Sequence, residues 1–396
     1  MAEPVYLLTG ATGLLGECVL FEVARAHQDL RVVCLGRDSA GVSFERRLRA
    51  AIDGPSGLYL TAEERERLHR ALVPITADLR AEGLGLTTEG RAELASRPID
   101  HVLHVAALTD FRHKPHVAAR LEAANVTGTQ RLIDLVNGLS SAPRSLAFVS
   151  SAYSCGQFYG AISPSFTPPE LRFQNPYQRS KLEAEQRVCA AFESGPTHLR
   201  VFRPTVIGGR LDAAPAGYVT KYDVYLGWAS FFLHSKKQSL GARSWGELLD
   251  SRLEREIRIA ANPELGLNIV PTDFVAKTLV GAVVSDHRER RYHVAAHQDL
   301  PIGPMLDRML ECVGFSGQRY VERVPGELNE IEAAYYASVG LLYTPYIALE
   351  EPWVFERESM IALCEHAGIE PRGISTLDEF DVMLEFAQGQ HWGLEL

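Results

Sequence analysis

The stretch Thr9-Gly-Ala-Thr-Gly-Leu-Leu-Gly16 decides the fold of this chain. It follows a short apolar run, 5–8, and precedes a segment, 14–23, whose apolar residues recur at helical spacing. This order predicts a strand, a tight glycine turn and a helix. Such a turn presents unpaired backbone N–H groups and the positive end of the helix dipole, and its glycines at 10, 13 and 16 let a pyrophosphate approach the backbone. The turn therefore predicts nucleotide binding, with a plain glycine-rich turn as the alternative.

Composition and charge exclude several classes of protein. The 396 residues are 46% hydrophobic and 23% charged, which is typical of a soluble globular protein with two or three domain-sized units. A net charge of −10 without a dense basic stripe argues against nucleic acid as a partner. No apolar run approaches the roughly 18 residues of a membrane span, and no secretory signal is visible. The six cysteines are scattered, which favours reduced thiols and a cytoplasmic location.

The alternation of apolar runs and helical patterns predicts an α/β fold. The strand-like runs of the first half are 30–35, 72–76, 99–105, 146–150 and 198–202. Such alternation is typical of a Rossmann-like, doubly wound parallel sheet. We expect this nucleotide-binding domain to span 1–210, with a helical insertion at 39–71, and to resume at 268–300. Residues 211–267 would form a substrate-binding excursion, and 301–396 a smaller, mostly helical substrate-binding part.

Tyr177 and Lys181 are the first candidate reacting residues. Asn175 is a good helix N-cap and Pro176 suits the first helical position, so Tyr177 and Lys181 share one helix face, four residues apart. A neighbouring ammonium favours a phenolate, so we expect Lys181 to lower the pKa of Tyr177. An amphipathic helix with a surface lysine would show the same spacing.

Hydroxyl groups end the strand that precedes this helix. Ser150 and Ser151 follow an apolar run, at the edge where doubly wound sheets bind ligands. Either serine could hydrogen-bond a substrate carbonyl while a tyrosine supplies a proton. The alternative is that both only satisfy the backbone at the strand end.

Taken in this order, the glycine turn, the Val-Ser-Ser strand end and the Tyr-x-x-x-Lys helix resemble the extended short-chain dehydrogenase/reductase superfamily. Further motifs are similar to its fatty acyl-CoA reductase and thioester reductase branch, which includes the terminal reductase domains of carboxylic acid reductases and nonribosomal peptide synthetases. The likeness covers residues 4 to about 300. These motifs are Val33-Cys-Leu-Gly-Arg37, Ala77-Asp-Leu79, His104-Val-Ala-Ala107, Asn125-Val-Thr-Gly-Thr129, Arg203-Pro204 and Ile269-Val-Pro-Thr-Asp-Phe274.

The resemblance implies a role for each matching position. It makes Ser151, rather than Ser150, the catalytic serine beside Tyr177 and Lys181, and it matches Asn125 to a helix asparagine that holds a structural water near the lysine. It places Asp78 at the adenine and the backbone of Ala106 and Ala107 along the cofactor channel. The implied cofactor-binding residues are Gly10, Thr12, Gly13, Leu14, Leu15, Gly16, Arg37, Asp78, Leu79, Ala106, Ala107, Tyr177, Lys181, Arg203 and Pro204.

Arg37 bears on which cofactor binds. An arginine after the second strand can hold a ribose 2′-phosphate, whereas an acidic residue there would bind a free 2′-hydroxyl. Arg37 therefore favours NADPH (NADP+) over NADH. Asp38 beside it could turn inward and favour NADH, and a solvated loop arginine is a further alternative.

The expected activity is hydride transfer from NADPH to an acyl thioester, giving an aldehyde and possibly an alcohol. The acyl group would arrive on an acyl carrier protein or coenzyme A, and Lys236 and Lys237 could contact its phosphate or an acidic carrier. Aromatic residues between 218 and 232 could line the acyl site or pack in a core. Alternatives are a nucleotide-sugar epimerase or dehydratase, an aldehyde or ketone reductase, and a non-catalytic NADP-binding regulator. No carboxylate or cysteine completes the histidine pairs His101/His104 and His113/His116 at a familiar spacing, so no metal is expected.

Overall fold

A computed structural model of the chain describes residues 3–168, 172–242 and 244–395. Its strands are β1 (Val5–Thr9), β2 (Arg31–Gly36), β3 (Leu72–Thr76), β4 (His101–His104), β5 (Ser145–Val149), β6 (Gly160–Ile162), β7 (His198–Pro204), β8 (Val206–Gly208), β9 (Leu253–Ala260), β10 (Gly266–Leu267), β11 (Ile269–Pro271), β12 (Arg291–Val294), β13 (Leu300–Pro301), β14 (Phe315–Val321) and β15 (Trp353–Phe355).

The α-helices alternate with these strands through the first half and dominate the second. They are α1 (Leu14–Ala26), α2 (Phe44–Asp53), α3 (Ala62–Ala71), α4 (Thr88–Ala95), α5 (Pro115–Leu121), α6 (Thr127–Asn137), α7 (Pro176–Phe192), α8 (Tyr225–Leu240), α9 (Trp245–Asp250), α10 (Thr272–Val284), α11 (Ile302–Cys312), α12 (Glu330–Tyr336), α13 (Val339–Ile347), α14 (Glu358–Ala367) and α15 (Leu377–Gly389). Short 3-10 helices cover Pro55–Tyr59, Glu82–Gly85, Ala152–Cys155 and His391–Gly393, and a π-helical turn covers Glu122–Val126.

Seven parallel strands form the main sheet in the order β12-β7-β5-β4-β1-β2-β3. Along β1, Leu7 and Val5 pack into the core on one face of the sheet, while Leu8 and Tyr6 pack into the core on the other. Burial on both faces explains why β1 is a nearly continuous apolar run. The chain runs from β1 through β2 to β3 on one side and then crosses back to β4 on the other side of β1, so a crevice opens at the carboxyl ends of β1 and β4. This confirms the predicted doubly wound α/β fold.

The helices cover the two faces of the sheet as the crossover connections require. Residues of α1, α10 and α14 share one core with the sheet, and residues of α6 and α7 share the other. The segment 39–71 contains α2, a 3-10 helix and α3, and it connects β2 to β3. Its helix α3 begins with a capping box between Thr61 and Glu64.

Residues from two distant parts of the chain form a second lobe. Helices α8, α11, α13 and α15 and strand β9 share one hydrophobic core, so the excursion after 210 and most of the C-terminal part pack together. The C-terminal part also contributes strands, since β14 pairs in parallel with β9 and β15 with β6. Helix α14 returns to the main sheet, where Met360, Leu363 and Cys364 join the core around α1 and α10.

No helix within the described ranges combines the length and the apolar composition that crossing a bilayer requires.

Candidate active site

The glycine turn between β1 and α1 has the geometry of a phosphate cradle. Gly10 has a φ of +83°, and a Cβ there would lie 2.7 Å from the backbone nitrogen of Ala106. A Cβ at Gly16 would lie 1.9 Å from the carbonyl oxygen of Gly10, so a side chain at either position would clash with backbone. Gly13 caps α1 without a side chain, which leaves the N–H groups of the first helical turn unblocked. The turn therefore fits a pyrophosphate.

The end of β4 is held against this turn by a buried histidine. The His104 ring hydrogen-bonds the hydroxyl oxygens of Thr9 at 2.7 Å and Thr129 at 3.0 Å, and the backbone N–H of Ala106 donates to the Thr9 hydroxyl oxygen. Burial lowers the pKa of His104 to about 3, so the ring stays neutral and fixes the two segments. Within the described residues, no three His, Cys, Asp or Glu side chains form a group that could hold a metal ion.

One cavity of about 710 Å³ joins the glycine turn to the start of α7. It brings together most of the residues expected from the sequence. Those that line it are Gly10, Thr12, Gly13, Leu14, Leu15, Gly16, Arg37, Asp78, Leu79, Ala106, Ala107, Ser150, Ser151, Tyr177, Lys181 and Pro204.

Tyr177 lies in the first turn of α7. Asn175 caps the helix by accepting the Gln178 N–H at 3.0 Å, as the sequence predicted. Burial raises the pKa of Tyr177 to about 12, and a hydrogen bond with the Thr109 side chain acts in the opposite direction. The predicted lowering of the Tyr177 pKa by Lys181 is not found: burial raises this pKa, and the group that acts against burial is Thr109.

Lys181 points towards the sheet from the next turn of α7. Its ammonium donates to the Val149 carbonyl oxygen at 2.5 Å and lies 4.9 Å from the centre of the Phe148 ring. Burial lowers the pKa of Lys181 to about 8, and the Glu185 carboxylate opposes that shift.

The two serines at the end of β5 have different partners. The Ser151 hydroxyl oxygen accepts the Tyr153 N–H at 3.3 Å and so caps the short helix that follows. The Ser150 hydroxyl is buried and has no hydrogen-bond partner among the described residues. Since both serines line the cavity, the choice of Ser151 stays a prediction.

Asn125 lies outside the cavity lining, in the π-helical turn before α6. Its amide accepts the Leu108 N–H at 2.7 Å and donates to the Leu108 carbonyl and the Ser180 hydroxyl, both at 2.9 Å. The side chain therefore fixes the loop after β4 against α7. Its contact with Ser180 is one residue away from Lys181.

A second arginine joins Arg37 at the end of β2. Arg47, on α2, donates to the Arg37 carbonyl oxygen at 3.0 Å and to the Thr12 hydroxyl at 3.1 Å, and both arginines line the cavity. The Asp38 carboxylate instead accepts the Phe44 N–H at 2.8 Å, at the start of α2. Sequence reasoning missed Arg47, although its place on the charged helix after Arg37 was a usable signal.

Asp78 and Leu79 line the cavity beside these arginines. The Asp78 carboxylate accepts two hydrogen bonds from the Arg80 guanidinium, at 3.0 and 2.7 Å. The bonded Arg80 holds the pKa of Asp78 below its usual range.

Arg203 is the implied cofactor-binding residue that pairs with a carboxylate in the protein interior. It lies outside the cavity, 2% exposed, in a two-bond ion pair with Glu185 on α7, and it donates to the Phe166 carbonyl. The buried Glu185 carboxylate compensates the charge of the buried guanidinium, which is why Arg203 can point into the protein. The position supports a structural role for Arg203, while Pro204 beside it lines the cavity.

The far end of the cavity belongs to the second lobe. Of the aromatic residues at 218–232, Tyr225 and Trp228 line it, together with Tyr343, Tyr346 and Ile347 of α13, which sequence reasoning missed. Lys236 is buried and donates to the Val313 carbonyl at 2.9 Å. A buried lysine with a backbone partner is not placed to contact a carrier or a coenzyme A phosphate.

Comparisons with known proteins identify the family of this chain. The sequence matches the NAD-binding family model described as male sterility protein over residues 8–279. It is 26% identical to human fatty acyl-CoA reductase 2 over 324 residues, which cover 73% of this chain and 57% of that protein. It is 31% identical to a linear gramicidin synthase protein of Brevibacillus parabrevis over 194 residues, which cover 48% of this chain and 4% of the synthase.

Among solved structures, the terminal R domain from the myxalamid PKS-NRPS biosynthetic pathway has a similar fold. It superposes with a TM-score of 0.74 at 21% identity, covering 99% of this chain and 92% of that domain. At this identity the likeness shows the fold. The chain thus spans nearly the whole R domain. It spans little more than half of the human reductase and a small fraction of the gramicidin synthase protein.

Proposed function

This chain belongs to the male sterility protein family, in the thioester reductase branch of the extended short-chain dehydrogenases/reductases, and we propose that it reduces an acyl thioester to an aldehyde with NADPH. The observation that carries the proposal is the single cavity that joins the glycine turn to Ser151, Tyr177 and Lys181. A cofactor lying along the turn and a substrate above the tyrosine would meet in this space.

The nicotinamide dinucleotide is NADPH in this proposal. The glycine turn would hold the pyrophosphate, and Arg37 and Arg47 at the end of β2 would hold the ribose 2′-phosphate. Asp38, the residue that would favour NADH, is engaged with the Phe44 N–H. When bound, the reduced cofactor supplies a hydride to the thioester carbonyl carbon.

Tyr177 would donate the proton that the carbonyl oxygen takes up. With a pKa near 12, the phenol is protonated at neutral pH and can act as an acid. The Ser151 hydroxyl would donate a second hydrogen bond to the developing oxyanion. Lys181 would hold the nicotinamide ribose and stabilise the phenolate once the proton has moved.

The tetrahedral product of this first step is a hemithioacetal. Its C–S bond then breaks, the hydroxyl proton passes to the sulfur, and a thiol and an aldehyde leave. An acyl carrier protein or coenzyme A would present the thioester, and Leu226, Trp228 and Ile347 would give the acyl chain an apolar surface.

A substrate panel tests the proposal. NADPH consumption is followed with acyl-CoA, acyl-carrier, aldehyde and ketone substrates, in the wild type and in Tyr177→Phe. Nucleotide-sugar substrates are followed by chromatography of the sugar product, because epimerases and dehydratases consume no net NADPH. We expect NADPH oxidation with thioesters, and its loss in the variant. Turnover with sugars or ketones alone would assign the site to another reaction, and turnover with none would favour a regulator.

A further inference from the structure

The hydroxyl of Tyr346 receives two hydrogen bonds from the start of α7. The Asn175 amide donates to it at 2.7 Å and the Gln178 amide at 2.9 Å. Tyr346 belongs to α13 of the second lobe, 171 residues after Asn175. The phenol therefore joins the two parts of the molecule directly beside Tyr177.

Backbone groups fix the orientation of both amides. The Asn175 carbonyl oxygen accepts the Gln178 N–H at 3.0 Å, and the Gln178 side-chain carbonyl oxygen accepts the Gln174 N–H at 2.9 Å. A backbone N–H cannot accept, so each amide must turn its oxygen to the backbone and its NH₂ to Tyr346. The Tyr346 oxygen is thus the acceptor in both bonds.

These two bonds leave the Tyr346 hydrogen unused. A phenol oxygen that accepts twice has only its own O–H left to donate, and within the described residues no acceptor for it is recorded. Tyr346 lines the same cavity as Tyr177 and Ser151. The Phe111 ring packs against both phenols, with centroids 5.4 Å from Tyr177 and 6.0 Å from Tyr346.

We propose that Tyr346 donates this hydrogen to the carbonyl oxygen of the bound thioester, as a third donor beside Tyr177 and Ser151. The inference rests on the proposed reduction of thioesters. The two amide N–H groups polarise the phenol and strengthen its donated bond. Because the anchored hydroxyl is already in place, its bond strengthens as negative charge develops on the oxygen, which lowers the barrier more than it tightens substrate binding.

The test separates donation to substrate from anchoring of α7. Three variants are compared with the wild type for kcat, thioester KM and melting temperature. Tyr346→Phe removes the donor and both amide contacts. Gln178→Leu removes one amide contact and keeps the donor. Tyr336→Phe is the matched structural control, because that hydroxyl bonds the Ala260 N–H and the Arg258 carbonyl, both at 2.8 Å, away from the cavity.

We expect Tyr346→Phe to lower kcat by roughly 10- to 100-fold with thioester KM within about threefold. Gln178→Leu should lose much less, and Tyr336→Phe should keep kcat. A kcat for Tyr346→Phe within about threefold of wild type, or equal losses in Tyr346→Phe and Gln178→Leu, would overturn the proposal while leaving thioester reduction intact. If none of the thioesters supports NADPH oxidation by the wild type, both the role of Tyr346 and the proposed thioester reduction are rejected.

Discussion

The two ends of the active-site cavity are built in different ways. At the cofactor end, backbone turns at the carboxyl ends of neighbouring strands form the surface, and each turn is contiguous in sequence. At the substrate end, side chains from the segment 219–228, Leu267 and α13 are brought together by the packing of the second lobe. The cofactor end thus has a local geometry that a short motif can encode, and the substrate end depends on long-range packing.

The largest effect should come from the residue where the two ends meet. Tyr177→Phe should lower turnover by roughly 10²- to 10⁴-fold, because the proton donor is lost. NADPH affinity, measured by fluorescence titration, should stay within about twofold because the glycine turn is untouched. Near-normal turnover in this variant would show that Tyr177 is not the proton donor at the point where the two ends meet.

A smaller effect is expected at the cofactor end alone. Arg47→Ala should lower kcat/KM for NADPH by roughly 10- to 100-fold, since a charge-assisted bond to phosphate is lost, and leave NADH kinetics unchanged. Arg37→Ala should act in the same direction. Arg49→Ala is the matched control on α2, because Arg49 pairs with Glu45 on the surface. Equal losses with NADPH and NADH would show that Arg47 only supports the turn.

The pH dependence of kcat/KM for NADPH should follow the ionisation of Lys181. Its ammonium is present below its pKa of about 8 and is lost as the pH rises through that value. We therefore expect kcat/KM for NADPH, which reports the free enzyme, to fall above about pH 8, by up to tenfold per unit. Lys181→Met should be slow at every pH and show no such limb. A flat wild-type profile through pH 9.5, about 1.5 units above that pKa, would contradict this role.

The smallest catalytic effect is expected inside the second lobe. Lys236→Met should change the KM for an acyl-CoA by less than about twofold, because Lys236 is buried against the Val313 carbonyl. The substitution should lower the melting temperature, because leaving the buried Val313 carbonyl unpaired costs roughly 1–3 kcal/mol of unfolding free energy. A tenfold rise in KM would instead place this lysine in contact with the substrate carrier.

Local rules made the cofactor end predictable. The spacing of three glycines, the Asn175 cap and the apolar strands are each visible within about ten residues, and the structure confirms the elements they predict. Tyr346 was not predictable, because nothing near it in sequence shows that it meets Asn175. The Tyr177 pKa and the buried positions of Arg203 and Lys236 were also missed, since burial is a property of the folded chain.

If this cavity reduces thioesters, NADPH, thiol and aldehyde must change in equal amounts, so the product stoichiometry is decisive. Purified protein is given an acyl thioester and NADPH with a hydrazine that traps aldehyde, and NADPH oxidised, thiol released and hydrazone formed are all counted. We expect one of each per turnover in the wild type, and the same products formed roughly 10²- to 10⁴-fold more slowly in Tyr177→Phe. Thiol release without NADPH oxidation, or NADPH oxidation without thiol release, would contradict it.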